Sequence, residues 1–92
     1  MSELSDATRP AVRRGLKLQW EEAQNAYVLL YPEGQLVLNQ SAAEILKRCD
    51  GVRTVAEIVA DIEGTYSLSG ISPDVTAFVR MALEQRWLEE RA

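Results

Sequence analysis

The chain has 92 residues, with 10 Lys and Arg against 14 Asp and Glu, no histidine and one cysteine, for a net charge of −4. A chain this short builds one small core, and a composition of 47% hydrophobic and 26% charged residues belongs to a folded domain rather than a disordered one. Without histidine, the commonest acid/base near neutral pH and the commonest neutral metal ligand are both missing, and Cys49 alone makes neither an intramolecular disulfide nor a CxxC pair.

The opening Met-Ser-Glu-Leu-Ser-Asp lacks the basic-then-apolar order of a signal peptide. No apolar run approaches the ~18 residues of a membrane span, so the expectation is a soluble cytoplasmic protein without a membrane partner. Residues 1–12 follow neither a period of two nor one of 3.6 and contain Pro10, which predicts a flexible N-terminal segment followed by a single domain over 13–92. Strict alternation in Leu16-Lys17-Leu18-Gln19-Trp20 predicts a half-buried strand with Leu16, Leu18 and Trp20 on one face. A polar loop over residues 21–25 leads to Tyr27-Val28-Leu29-Leu30-Tyr31, apolar on both faces. Pro32-Glu33-Gly34 is a turn, because Pro presets φ early and Gly accepts a positive φ later, and Gln35-Leu36-Val37-Leu38 returns as a third strand. Two short connections favour an antiparallel meander.

The period changes at Asn39. Asn39 and Ser41 are both N-cap types, and Ser41 with Glu44 has capping-box spacing ahead of an apolar stripe of Ala42, Ile45, Leu46 and Cys49, closed by Asp50-Gly51. Thr54 and Glu57 repeat the box before Val55, Ile58, Val59, Ile62 and Tyr66, the clearest helix of the chain. Ser72-Pro73-Asp74 opens a third helix that the pattern carries to about Trp87. Val75, Phe78, Val79, Met81, Ala82 and Leu83 make its apolar arc about 200° wide, twice the stripe of an ordinary surface helix. The predicted architecture is α+β: an N-terminal three-stranded antiparallel sheet followed by three helices, winged-helix-like.

Catalytic chemistry finds little support. Cys49 lies on the helix-one stripe with no histidine to hold a thiolate, which marks it as a core residue. Glu21-Glu22 and Glu89-Glu90 point in different directions in any regular element and have no apolar surroundings to split their pKa values. The glycines form no phosphate-loop spacing. The acidic balance argues against a nucleic-acid partner, although residues 1–20, with Arg9, Arg13, Arg14 and Lys17 against Glu3 and Asp6, are locally basic. Two features point to binding instead. The third strand is an edge with unpaired backbone groups and no Lys or Pro to blunt it, and the third helix has apolar surface to spare. Together they suit β-augmentation by an extended peptide, and equally a homodimer through the same edge.

Tyr27 to Gly34, then Leu38-Asn39-Gln40-Ser41-Ala42-Ala43-Glu44-Ile45-Leu46, then Cys49-Asp50-Gly51 and Arg53 to Val59, resemble the PqqD family of accessory proteins in pyrroloquinoline quinone biosynthesis. The resemblance spans about residues 9–90 and departs from the family pattern at Trp87-Leu88, where glycine often precedes apolar residues. It implies a RiPP precursor-peptide recognition element that binds the ribosomal peptide PqqA and presents it to the radical SAM enzyme PqqE for Glu–Tyr cross-linking, with no catalytic site, cofactor or metal of its own. On this chain it implies peptide hydrogen bonding along the backbone of Leu36, Val37 and Leu38, with a groove wall of Val75, Phe78, Val79, Ala82 and Leu83. Arg86 either satisfies the helix dipole or meets an acidic peptide residue. The competing readings are a dimeric structural domain and a winged-helix DNA binder, for which the third helix offers only Arg80 and Arg86 against Asp74 and Glu84.

Overall fold

A computed structural model of the chain describes residues 4–91. The elements, in order, are β1 (Arg9–Val12), β2 (Lys17–Glu21), β3 (Ala26–Tyr31), β4 (Gly34–Val37), α1 (Gln40–Leu46), α2 (Val55–Tyr66), α3 (Ser72–Glu84) and β5 (Leu88–Arg91). β2, β3 and β4 form the expected antiparallel meander, with Leu18 opposite Leu29 and Leu29 opposite Leu36. β3 is apolar on both faces because both are covered: Val28 and Leu29 are each fully buried. Leu29 joins the main core with Leu46, Val55, Ile58, Val79 and Leu88. Trp20 departs from its expected burial, being 45% exposed, and packs edge-on against its cross-strand partner Tyr27 at 5.2 Å between ring centroids.

The chain start is the first correction. Within the segment expected to be flexible, residues 9–12 form β1, paired antiparallel with β5 through Arg9 opposite Arg91 and Val12 opposite Leu88; residues 1–3 of that segment lie outside the described residues. Pro10 is tolerated because its missing N–H faces away from β5. On that other side only an isolated bridge forms, in which Gly51 donates to the Pro10 carbonyl (2.9 Å) and Val12 to the Cys49 carbonyl (3.2 Å). Upstream, the carbonyls of Asp6 and Thr8 accept from Ala56 and Val55, the first amides of α2. Gly51 has to be glycine: its φ is +79°, and a Cβ there would sit 2.9 Å from Arg91 Cδ and 3.3 Å from Ala11 Cβ.

The helices follow their caps. α1 is capped by Asn39, whose Oδ1 accepts from Ala42 N at 2.8 Å, not by the expected Ser41–Glu44 box. Glu44 turns instead to Lys47 (3.1 Å) and Arg48 (2.8 Å). Arg48, only 9% exposed, also pairs with Asp61 and so ties α1 to α2. α2 has the complete Thr54–Glu57 box. α3 ends three residues before the expected Trp87. Arg86 takes the left-handed conformation (φ +67°), with Trp87 donating to the Ala82 carbonyl (2.9 Å) and Arg86 to that of Leu83 (3.2 Å), the bond pair of a Schellman stop. The chain reverses there into β5, an element the sequence pattern did not predict.

Candidate functional site: the β4 edge and the adjoining face of α3

Among the described residues β4 has one neighbour, β3, so its far side is a free edge. Its register decides which groups that edge offers. Leu38 N donates to its partner Tyr27 O at 2.9 Å, so in an antiparallel ladder the alternate residues Leu36 and Gly34 also bond to β3, while Gln35 and Val37 direct their N–H and C=O outward. The expected run of backbone contacts at Leu36, Val37 and Leu38 therefore reduces to Val37, joined by Gln35. Leu36 and Leu38 serve the fold: Leu38 is 7% exposed and Leu36 packs against the core, whereas the Val37 side chain is 49% exposed.

α3 divides in the same way. Val75, Val79 and Ala82, expected in the groove wall, are 2%, 0% and 0% exposed and belong to the core. Their spacing of four and three residues is the period that buries one stripe, which explains how the wide apolar arc divides into a buried set and a half-buried one. Phe78 and Leu83 are half-buried and pack on the core from outside. Asp74, Phe78, Met81 and Gln85 form a second stripe about 60° wide at 100° per residue, with the two apolar members half-buried between two exposed polar ends. Met81, Asp74 and Gln85 were absent from the expected site; their 4-3-4 spacing was the signal available in the sequence.

A concavity lies at each end of this stripe. At the start of α3 a cavity of about 460 Å³ lies between Asp74, Val75 and Ile71 on one side and Gln40, Ser41, Glu44 and Ile45 of α1 on the other, with Ile62, Tyr66 and Leu68 completing its wall. At the end of α3 a cleft of about 270 Å³ joins Gln85, Arg86 and Trp87 to Tyr31, Pro32 and Glu33 of the turn before β4, beside Arg13 and Leu16. The start of α3 thus lies near the residues that follow β4 and its end near the turn that precedes it, so the two elements run in opposite senses.

The electrostatics differ between the two ends. Hydrogen bonding from Arg48 holds the Glu44 carboxyl down at about 2, so the cavity near α1 keeps a paired carboxylate in its wall. At the other end Arg13 Nε donates to the Arg86 carbonyl at 2.6 Å, and neither guanidinium makes an ion pair among the described residues. Arg86 is exposed. Cys49 is 4% exposed, its Sγ donates to the Ile45 carbonyl (3.2 Å), and burial pushes its thiol up to about 12, the profile of a core residue. Among the described residues no helix is long and apolar enough to cross a membrane.

A family model described as coenzyme PQQ synthesis protein D (PqqD) matches residues 26–88. Over 92 residues the chain is 50% identical to a "PqqA binding protein" of Stutzerimonas stutzeri (strain A1501), covering 99% of this chain and 100% of that one. It is 49% identical over 90 residues to a protein of the same name from Azotobacter vinelandii, covering 97% and 98%. Among solved structures, the NMR structure of the PqqD truncation of Methylobacterium extorquens PqqCD, described as a stand-alone RiPP recognition element, superposes with a TM-score of 0.77 at 31% identity over 95% of both chains. The heterocyclase TruD contains the same fold within 12% of its chain, with a TM-score of 0.70 at 21% identity over 92% of this one.

Proposed function

The chain belongs to the PqqD family, and on that premise we propose that it is a peptide-binding accessory protein of pyrroloquinoline quinone biosynthesis. In this reading it binds the precursor peptide PqqA and presents it to the radical SAM enzyme PqqE for Glu–Tyr cross-linking, with no catalytic step of its own. The observation that carries the reading is the free β4 edge, with outward backbone groups at Gln35 and Val37, and the two ends of α3 lying near the residues that flank that strand. PqqA adds a strand to that edge, and its alternate side chains rest on the Phe78–Met81 stripe of α3. Affinity comes from backbone bonds and buried apolar area. The benefit to the enzyme is effective concentration, because a tethered peptide meets the active site as an intramolecular partner.

An NMR titration of labelled protein with the PqqA-type peptide tests the placement. Shifts concentrated on residues 34–38 and on Phe78, Met81 and Gln85 are expected; shifts confined to β1 and β5 would refute it. The exposed Val37 edge also suits a homodimer. Sizing with and without peptide separates the two uses, since a dimer through β4 dissociates as peptide is added.

A further inference from the structure

Resting on the peptide-binding reading, we infer that the groove selects its peptide by two side-chain anchors, a bulky apolar residue at the α1 end and a carboxylate at the Arg86 end, separated by an even number of residues. The apolar anchor enters the cavity between α1 and the start of α3, against Ile45, Ile62, Leu68, Ile71 and Val75. Its volume of about 460 Å³ is ample for one large side chain. The carboxylate meets Arg86 and Arg13 in the cleft that Leu16, Trp87 and Glu33 also line.

An independent feature singles out Arg86. It occupies the left-handed stop of α3 at φ +67°, where glycine is the inexpensive residue and any side chain costs stability. Its guanidinium offsets none of that cost within the fold, having no ion-pair partner among the described residues. Such a residue in a cleft beside Arg13, whose guanidinium donates to the Arg86 carbonyl but makes no ion pair among the described residues, is placed for a ligand. The spacing rule follows from the strand itself. Successive side chains alternate faces, so two anchors that both face α3 are an even number of residues apart. The roughly 17 Å between the ends of the stripe, Asp74 and Gln85, corresponds to about five residues at about 3.3 Å each, and the even spacings that bracket it are about four and about six.

The test measures affinity for the PqqA-type peptide by fluorescence or calorimetry, with folding checked by NMR. Arg86→Gly is expected to fold and to bind about tenfold more weakly, the loss of one charge-assisted contact. Arg86→Glu is expected to bind more weakly still, and to recover affinity for a peptide whose anchoring carboxylate is replaced by lysine. Leu68→Asp, on the exposed lip of the cavity, is expected to weaken binding without touching the cationic end. Inserting one residue between the anchors turns one of them to the wrong face and abolishes tight binding, whereas inserting two restores part of it. A native peptide that binds normally to Arg86→Gly and tolerates the single insertion overturns the two-anchor inference while leaving peptide binding intact. A native peptide that does not bind the wild-type protein refutes the peptide-binding reading itself.

Discussion

Proline at two adjacent positions of β4 separates the edge from the ladder. At Val37 the N–H points outward, so Val37→Pro removes a donor from the free edge and leaves the bonds to β3 in place; the preceding Leu36 is already in the extended conformation that proline demands. Setting φ near −65° in a strand costs about 1 kcal/mol, which for a domain of this size lowers Tm by about 6 °C. An added strand loses one backbone bond, about 1 kcal/mol net, and meets the ring where an amide hydrogen stood, so the peptide Kd rises tenfold or more, since 1.4 kcal/mol is one decade. Leu36→Pro is the converse: it removes a ladder bond to Leu29 and costs about 3 kcal/mol, a fall in Tm of some 15–20 °C. Val37→Ala, which keeps the N–H, is expected to bind within about threefold of wild type. Thermal melts and peptide titration of the three variants decide. A folded Val37→Pro protein with wild-type affinity would refute the placement of the peptide strand on β4.

Three further perturbations probe the scaffold. Arg48→Met leaves Glu44 and Asp61 without the guanidinium that links α1 to α2; because Asp61 is half-exposed the loss is about 2 kcal/mol, read as a Tm some 10 °C lower. The folded-state pKa of Glu44 is depressed to about 2, so its contribution is fully present above the unfolded carboxylate range near 4.3 and lost as pH falls through about 2. Wild type and Glu44→Gln are therefore expected to differ in denaturant midpoint at pH 7 and to converge towards pH 2, with a constant difference refuting the assignment. Leu88→Ala removes a side chain that is 2% exposed; a loss of about 3 kcal/mol is expected, whereas a surface strand would lose a fraction of that.

The meander and the second helix were legible because their signals are local: alternation in residues 16–20, the Pro32–Gly34 turn, and the Thr54–Glu57 box before an i, i+3, i+4 stripe. β1 and β5 were not. Arg-Pro-Ala-Val and Leu-Glu-Glu-Arg carry no alternation, and they are strands only because they find one another across the fold, held by the buried Ala11 and Leu88. Of the two cap candidates Asn39 takes the role, and Glu44, the other half of the Ser41 box, is bound by Arg48 instead. In α3 the width of the apolar arc announced two faces, but dividing core from groove required the burial of Val75, Val79 and Ala82. The direction of the edge amides was likewise hidden, because hydrogen-bond parity is a property of register, not of residue type.

The pairing of β1 with β5 also bears on how the protein is made. Val12 lies opposite Leu88, and Leu88 is part of the same core as α1 and α2, so the structure closes only when residues from both ends of the described chain are present together. During vectorial synthesis the meander and first two helices leave the ribosome with their shared interior incomplete. The β1–β5 contact, of greatest sequence separation, bears the largest loop-closure entropy and cannot form until β5 has emerged. Until then the β4 edge and the aliphatic faces beneath it are exposed on an unfinished domain, and a peptide able to cover that edge would act during folding as well as after it.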